Sequence, residues 1–490
     1  MDLRLWSIIM FVGFLILMGA LAVKAGKSNL EGEGNLDEEY YLGGRGTGPI
    51  LLAFSYVTGS VSAAAFMGEP GMMSQIGWPY YWIVISIIPG MIFPAILLMK
   101  KLREHSEELG SLTIPQYLGQ TYESDALRVI IAVFISVFYI FPLVAQFKGA
   151  AILLEQFTNI PFVWGVLIFT GLIAVYCATG GLRSAIWTSV IQGIPMFFIA
   201  IALVWLSLKV VGGFNGIEQT LSNSHPEMLN IVQERAPGAM FPIEGVIGVF
   251  AYWLIMFIAQ PYLCSRFMSI KDTKPKTIGI FLITTLVLTI VYNTLYLSGL
   301  AGRIIYPGIE GDYITSQLAI DYLPTFFAAF MMIGIFGAMM STTQSMILVI
   351  AQAIANDIYL KTINPNASDK KVVNLTRIAI FVVSGICFAL TVMKTPEFLS
   401  VFFYLGLSGI GACIAVPLIA AILWPKARKQ GAIAAAIVGP ISYTVFNNLM
   451  DINLWFSSFL AVIISGILLI SISLYMNKKG FQEKLSESLE

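Results

Sequence analysis

The stretch "FGAMMSTTQS" (residues 336–345) places hydroxyl and amide side chains inside an apolar run that is long enough to cross a bilayer. On a helix, Ala338, Ser341 and Thr342 are spaced i, i+3 and i+4 and therefore share one face. Two hydroxyl oxygens and a nearby carbonyl form half of a site for a small hard cation, because such ions favour oxygen ligands. A second interpretation stays open, since Ser and Thr also let membrane helices approach closely and hydrogen-bond to each other.

A second polar stretch, "SYVTGSVSAAAFMGEPG" (residues 55–71), lies in another run of spanning length. Its Gly59, Gly68, Pro70 and Gly71 are residue types that break or kink helices. In many transporters one helix of each repeat is interrupted in mid-membrane, where its freed carbonyls bind the coupling ion. The stretch therefore predicts either a broken, ion-binding helix or a kinked helix that packs through small residues.

Two ionisable residues, Glu69 and Lys148, fall at membrane depth, where an unpaired charge is costly. Lys148 is a candidate partner for a substrate carboxylate, and Glu69 is a candidate partner for an amine or a carrier of protons. The two side chains are also candidates for a pair with each other. The alternatives are structural: Lys148 snorkels or faces a helix interface, and Glu69 lies near the outer mouth.

The composition is that of an integral membrane protein, with 57% hydrophobic and 11% charged residues, whereas soluble domains carry roughly 25% charged residues. The net charge is zero and no basic domain stands out, so nucleic acid is not a predicted partner. No phosphate-binding P-loop motif occurs, so ATP-driven transport would need a separate ATPase subunit, and the sequence implies none. An enzyme is disfavoured, because His105 and His225 fall in loops on opposite faces and no nucleophile–base arrangement is visible. The widely spaced cysteines indicate buried core residues rather than disulfides or zinc ligands.

Apolar windows separated by charged or Gly/Pro-rich breaks predict thirteen transmembrane helices and thus an all-α polytopic membrane protein. The windows are 5–24, 49–75, 79–100, 126–155, 161–178, 185–211, 243–264, 277–300, 316–356, 373–393, 396–424, 431–449 and 453–476. The spans must be helical because lipid offers the backbone no other hydrogen-bond partner. The window 316–356 is too long for one straight helix, so 316–324 is predicted to be a separate short segment. Most of the 28 Lys and Arg residues fall into alternate loops. This asymmetry predicts a plasma-membrane protein with its N-terminus outside and its C-terminus in the cytoplasm.

Six motifs, in this order along most of the chain, resemble those of the sodium:solute symporter family. They are "YYLGGR" (40–45), "VSAAAFMGEPG" (61–71), "TGGLRSAIWTSVIQG" (179–193), "QPYLCSRFMSIKD" (260–272), "GAMMSTTQS…NDIY" (337–359) and "LWPKARKQGAIAAAIVG" (423–439).

That resemblance implies a single transporter domain at 1–490. Its core is an inverted five-helix repeat, similar to that of amino-acid/sodium transporters, and the first core helix is discontinuous. The implied plan has an extra N-terminal helix at 5–24, repeat 1 at 49–211, repeat 2 at 243–424, two C-terminal helices within 431–476 and a cytoplasmic tail at 477–490.

The resemblance also implies which groups bind the coupling sodium ion. They are the carbonyls of Thr58, Val61 and Ala338 and the hydroxyls of Ser341 and Thr342. Many members of the family have an Asp in the Trp-Thr-Asp element, which serves cation coupling or a second ion. This chain has Ser189 in its "WTSVIQ" instead. The departure puts a second, carboxylate-assisted ion in doubt, and one sodium per substrate is the preferred expectation.

By the same resemblance, the solute pocket is lined by the broken helix and later core elements. Sugar-transporting members carry polar side chains where this chain has Ala64 and Ala65, so a hexose is disfavoured. "AQFKGAAILLE" and "GEPG" look nearest to the sodium/pantothenate branch, which favours a carboxylate such as pantothenate. The expected pocket residues are Ala64, Ala65, Phe66, Glu69, Lys148, Tyr252, Trp253, Gln260 and Tyr262.

The leading hypothesis is a secondary symporter that imports a small organic solute with sodium by alternating access. A proton-coupled symporter of the same fold, with Glu69 as the carrier, is the main rival. A transporter-like solute sensor is a further alternative, although no output domain is evident in the sequence. A channel is disfavoured because no re-entrant filter or ring of repeated charges is visible.

Overall fold

The structure, a computed structural model, describes residues 2–31, 42, 45–236, 238–393 and 399–487. Its regular elements in these ranges are helices, accompanied by an isolated bridge between Thr47 and Ile270. In chain order the helices are α1 (Leu3–Glu31), α2 (Pro49–Ser60), α3 (Glu69–Ile76), α4 (Trp82–Glu108), α5 (Ile114–Thr121), α6 (Asp125–Phe138), α7 (Ile140–Thr158), α8 (Phe162–Val211), α9 (Gly213–Ser224), α10 (Ile243–Ala259), α11 (Pro261–Ser269), α12 (Pro275–Thr294), α13 (Ser298–Ile305), α14 (Ile314–Tyr322), α15 (Thr325–Gln352), α16 (Asp369–Met393), α17 (Leu399–Leu423), α18 (Lys429–Asn448) and α19 (Leu454–Glu487). Two π-helical segments, Ala64–Gly68 and Ala353–Ile363, precede α3 and follow α15.

Within the described residues, 10 helical segments are long and apolar enough to cross a membrane, and two bent helix pairs bring the number to 12. The chain is therefore an all-helical, multi-pass membrane protein, as predicted. The count of thirteen spans is not confirmed. The predicted span at 431–449 does fold as the helix α18, but this helix is not among the 12.

The two bent pairs are α2 with the segment Ala64–Ile76, at 62°, and α10 with α11, at 57°. The first confirms the predicted discontinuous helix, and the break lies within the predicted stretch 55–71. The backbone leaves the helix at Val61 (φ −83°, ψ 113°), whereas Gly68 and Pro70 lie within helical turns beyond the break. Pro70 is tolerated there because the first turn of α3 needs no donor from it.

The second bend, at Gln260, lies near the end of the predicted span at 243–264. Gln260 has an extended backbone (φ −78°, ψ 113°) and the following Pro261 begins α11. A residue before proline is sterically pushed out of the helical region. The dipeptide Gln-Pro in the middle of an apolar run is therefore the signal that predicts this break.

Two other boundaries compare as follows. The predicted short segment at 316–324 is confirmed by α14, which ends at Tyr322 before α15 begins at Thr325. The two predicted spans at 161–178 and 185–211 belong instead to one continuous helix, α8, so the predicted loop between them is not found. The segments Phe162–Thr179 and Thr188–Val211 within it each remain apolar enough to span.

The helix that carries the polar stretch is the central one of the bundle. α15 packs against α1, α2, α7, α8 and α16. Every residue from Gly334 to Gln352 is buried. The hydroxyls of Ser341 and Thr342 therefore face protein rather than lipid, and their hydrogen bonds must be made to neighbouring helices or to their own backbone.

Candidate functional site

The break in the first bent pair leaves carbonyl oxygens at the end of α2 without their usual helical donors. Helical pairing would direct the N–H of Ala63 to the carbonyl of Gly59. Instead, the Ala63 N–H donates to Gln146 Oε1 at 2.8 Å, a side chain of α7. The last turn of α2 thus presents free carbonyls, and the partial negative charge of a helix C-terminus adds to them.

The two hydroxyls of α15 meet this turn directly. Ser341 Oγ lies 3.0 Å from the carbonyl oxygen of Thr58 and 3.0 Å from that of Ala338. Thr342 Oγ1 lies 3.1 Å from the carbonyl oxygens of both Gly59 and Val61. The structure therefore brings together all five predicted ion-site groups, and their role as sodium ligands stays a prediction.

The carbonyl of Gly59 also contacts Thr342 Oγ1, although it is not among the predicted ion-site groups. It lies in the same freed turn as those of Thr58 and Val61, so any pattern that predicts those two also points to it. Together the six oxygens form what we call the oxygen cluster: the carbonyls of Thr58, Gly59, Val61 and Ala338 and the hydroxyls of Ser341 and Thr342.

The oxygen cluster has more acceptors than donors. Each hydroxyl carries a single proton but lies within hydrogen-bond distance of two carbonyls, so at any moment the two hydroxyls donate to only two of the four carbonyls. A small cation among these oxygens satisfies all of them at once, and hard neutral oxygens suit an alkali ion. In the described part of the chain no group of three or more His, Cys, Asp or Glu residues is placed to hold a metal ion.

Arg266 lies beside the oxygen cluster, although the loop pattern predicts it at the cytoplasmic surface. Its guanidinium is fully buried in α11. Its Nη2 donates to Ser345 Oγ of α15 at 2.8 Å, and its Nη1 donates to the carbonyl of Tyr262 at 2.5 Å. The predicted loop around Arg266 is instead the helix α11 (Pro261–Ser269), most of whose residues are buried.

A small cavity adjoins the oxygen cluster. Its volume is about 20 Å³, which is room for about one water molecule. A solute therefore binds here only when the surrounding side chains move apart. The cavity is lined by Ser60, Ser62, Ala64, Ala65, Glu69, Ile87, Trp253, Phe257, Tyr262, Tyr296, Phe403 and Leu407.

Five of the nine predicted pocket residues line this cavity: Ala64, Ala65, Glu69, Trp253 and Tyr262. The others do not. Phe66, Tyr252 and Gln260 are buried outside its lining. Gln260 instead accepts from Tyr139 Oη at 3.0 Å, and Lys148 lies in an ion pair described below.

Seven lining residues were not predicted: Ser60, Ser62, Ile87, Phe257, Tyr296, Phe403 and Leu407. Most of them come from helices with no local motif, and their proximity arises only from packing. Ser60 and Ser62 are the exceptions, since they flank Val61 in the broken stretch and could have been predicted from it.

Glu69 is held by two tyrosines at the wall of the cavity. Tyr80 Oη donates to its Oε2 and Tyr404 Oη donates to its Oε1, each at 2.5 Å. The carboxylate is buried, with a residue exposure of 2%. The prediction that Glu69 pairs with Lys148 is wrong. Lys148 forms its ion pairs with other carboxylates, and Glu69 accepts hydrogen bonds from the two tyrosine hydroxyls.

Lys148 forms a buried ion pair with the connection between α13 and α14. Its Nζ lies 2.8 Å from Asp312 Oδ2 and 3.3 Å from Glu310 Oε1. The side chain of Asp312 is 0% exposed, whereas that of Glu310 is 54% exposed. Burial raises the pKa of the Asp312 carboxyl, and the facing Lys148 ammonium opposes that rise.

The same connection packs closely on α3 through two glycines. A Cβ added to Gly71 would lie 2.7 Å from the carbonyl carbon of Gly311, a distance that real Cβ atoms do not reach. The connection thus lies directly on the second half of the broken helix. Glycine is required at this contact because backbone meets backbone.

Replacing Gly71 by Ala is expected to lower the melting temperature of the purified protein and to reduce solute uptake. The added methyl group forces the backbone apart, which costs about 1–3 kcal/mol. Gly279→Ala is the matched control, because nothing lies within 4 Å of a Cβ there and Ala is the better helix former. Equal melting temperatures for the two variants would contradict this close packing.

A bundle of spanning helices with an oxygen cluster at a helix break and a closed cavity beside it defines the class: a membrane transporter of small solutes. The sequence profile of the sodium:solute symporter family matches residues 40–439. The chain belongs to the sodium:solute symporter family. Its relatives in that family are transporters, not enzymes.

Individual relatives and one solved structure are similar along nearly the whole chain. The sodium/pantothenate symporter of Escherichia coli (strain K12) is 27% identical over 487 residues, covering 98% of this chain and 97% of that protein. The high-affinity proline transporter PutP of Bacillus subtilis (strain 168) is 28% identical over 446 residues, covering 89% and 90%. A substrate-bound, outward-open Na+-coupled sialic acid symporter has a TM-score of 0.82 at 18% identity, covering 96% and 97%. The last similarity concerns the fold.

Proposed function

We propose that the protein imports a small organic solute together with sodium by alternating access. The observation that carries the proposal is the oxygen cluster, in which Ser341 and Thr342 of α15 reach the carbonyls freed at the end of α2. A monovalent cation there is held by neutral oxygens from both predicted repeats. Family membership supports sodium as that cation.

The finer parts of this proposal come from the sequence. They are thirteen spans arranged as inverted repeats at 49–211 and 243–424, an N-terminus outside and a C-terminus in the cytoplasm of the plasma membrane. One sodium ion accompanies each solute molecule, since Ser189 supplies no carboxylate for a second ion. Alternating access follows because an ion between α2 and α15 links elements that belong to different repeats.

Pantothenate and proline, the solutes in the names of relatives, are the first substrates to test. The sequence favours a carboxylate such as pantothenate, with Lys148 as its partner. The ion pair of Lys148 with Asp312 weakens that part of the prediction, because Lys148 already has a carboxylate partner and does not line the cavity. The ionisable residue that lines the cavity is Glu69.

The rival is proton coupling through Glu69, which is supported by the position of this carboxylate between two tyrosine hydroxyls. Sodium is expected to raise the melting temperature of the purified protein relative to potassium at equal ionic strength and fixed pH. A ligand that binds the folded state stabilises it by mass action, so the measurement needs no known solute. Identical melting curves in the two salts, with a shift only on acidification, would instead favour the proton.

A further inference from the structure

We propose that the solute carries a positively charged nitrogen, an ammonium or quaternary ammonium group, and that Glu69 and the aromatic cavity wall recognise it. This inference rests on the proposed transport function and specifies its solute class. The class includes small amines, amino acids and quaternary ammonium compounds.

The first support is the charge of the cavity. Glu69 is 2% exposed, and its two oxygens accept hydrogen bonds from neutral hydroxyls of Tyr80 and Tyr404. Among the described residues no Lys, Arg or His forms a salt bridge with Glu69. A buried carboxylate without a counter-ion is expensive, and the tyrosine donors offset only part of that cost. A solute cation supplies the missing charge.

The second support is the set of aromatic side chains that line the same cavity as Glu69. Trp253, Phe257, Tyr262, Tyr296 and Phe403 all line the cavity. The rings of Trp253 and Phe257 stack on each other with their centroids 5.2 Å apart, which holds both side chains in place at the cavity. Aromatic faces attract ammonium groups, and Trp does so most strongly. A carboxylate beside such a wall is a combination that suits a cation and repels an anion.

The third support is a pair of polar atoms that the fold leaves unpartnered at the cavity. Trp253 Nε1 and Ser62 Oγ are buried and have no hydrogen-bond partner, and both residues line the cavity. An orphaned buried donor is costly and calls for an explanation. These atoms are placed to bond an acceptor on the solute, such as the carboxylate of an amino acid or the hydroxyl of an amino alcohol.

An anionic solute finds no matching cation in the cavity. No Lys or Arg is among the lining residues. Lys148 is bound to Asp312 at 2.8 Å, and Arg266, which does not line the cavity, donates to Ser345 at 2.8 Å. A simple carboxylate would therefore face Glu69 without compensation. A zwitterion keeps its ammonium group for Glu69 and its carboxylate for the donors of Trp253 and Ser62.

The experiment is a melting-temperature screen of the purified full-length protein in sodium and in potassium. The panel contains small amines, amino acids including proline, and quaternary ammonium compounds such as choline. Each is paired with an uncharged analogue, for choline its carbon isostere 3,3-dimethylbutan-1-ol, and pantothenate and short monocarboxylates are included. The expected result is stabilisation by an ammonium solute and a much smaller shift from its uncharged partner.

Glu69→Gln tests the assigned contact, because it keeps the shape and removes the charge. It is expected to weaken binding of the ammonium solute by about tenfold or more, as for a hydrogen bond to a charged group. The rise in melting temperature that sodium causes without solute should not change. Trp253→Leu should also weaken that solute, more than Trp253→Phe, which keeps an aromatic face. The sodium shift shows that each variant is folded.

Three results would overturn the inference: no stabilisation by any ammonium solute, strongest stabilisation by an uncharged or purely anionic solute, or equal binding by wild type and Glu69→Gln. A failure of the proposed transport function looks different. In that case sodium and potassium give the same melting temperature, whatever the solute.

Discussion

Replacing Ser341 or Thr342 by Ala is expected to raise the sodium concentration for half-maximal uptake by about tenfold or more. Each variant removes one of the two hydroxyls that contact the freed carbonyls of α2, at 3.0 and 3.1 Å. The four carbonyls remain, so the site is weakened rather than abolished. The solute concentration for half-maximal uptake at saturating sodium should change far less, because neither hydroxyl lines the cavity.

The matched control is Thr343→Ala in the same helix. Thr343 Oγ1 bonds to the carbonyl of Met339 at 2.7 Å, within its own helix, and makes no contact with α2. Thr343→Ala should therefore leave the sodium dependence of uptake unchanged. Thr342→Ser keeps a hydroxyl, so its sodium dependence should lie much closer to wild type than that of Thr342→Ala. Equal effects of Thr342→Ala on sodium and solute, or an effect on neither, would argue that the hydroxyls serve helix packing.

Much of this oxygen cluster could be predicted because its sequence signals are local. Ser341 and Thr342 share a helix face through their spacing, and the small and helix-breaking residues of 55–71 indicate a broken helix. Each signal alone also fits a packing role. Their joint meaning came from the family resemblance, which pairs the two segments, and the structure then places their atoms within about 3 Å of each other.

The remainder depends on packing between distant segments, which no local pattern contains. Lys148 and Glu69 both lie at membrane depth, and the sequence alone does not distinguish a mutual pair from the observed pairs with Asp312 and with two tyrosines. The exact break at Val61, rather than at Gly68 or Pro70, depends on Gln146 of α7, which takes the Ala63 N–H. A helix is broken where an alternative partner exists, not wherever a breaker residue occurs.

The oxygen cluster and the cavity use neighbouring residues of one backbone break. Ser60 and Ser62 line the cavity, and Val61 between them contributes its carbonyl to the cluster. An ion that fixes the carbonyls of this turn also fixes the cavity wall. A solute that moves the wall changes the position of the carbonyls in return. Coupling of this kind is reciprocal, so sodium and solute are each expected to increase the affinity for the other.

Lys148→Gln is expected to destabilise the protein strongly, by about 3–5 kcal/mol, because it leaves the buried Asp312 carboxylate without its counter-charge. Lys148→Gln combined with Asp312→Asn should recover most of the lost stability, since neither member of this ion pair is then charged. Glu310→Gln is the control: Glu310 is 54% exposed and its ion pair lies at 3.3 Å, so its loss should cost no more than about 1 kcal/mol. The measurement is the melting temperature of the three purified variants beside wild type.

The loss in Lys148→Gln should also depend on pH. Burial raises the pKa of the Asp312 carboxyl and Lys148 opposes this rise, so without Lys148 the folded-state pKa lies further above the unfolded one. A carboxyl of this kind binds more protons in the folded than in the unfolded state, and stability therefore falls as the pH rises through the folded-state pKa. The variant should approach wild-type stability in acid and diverge from it as the pH increases, and the double variant should show no such trend. If Lys148 instead binds a substrate carboxylate, Lys148→Gln will weaken pantothenate binding while its melting temperature follows that of wild type at every pH.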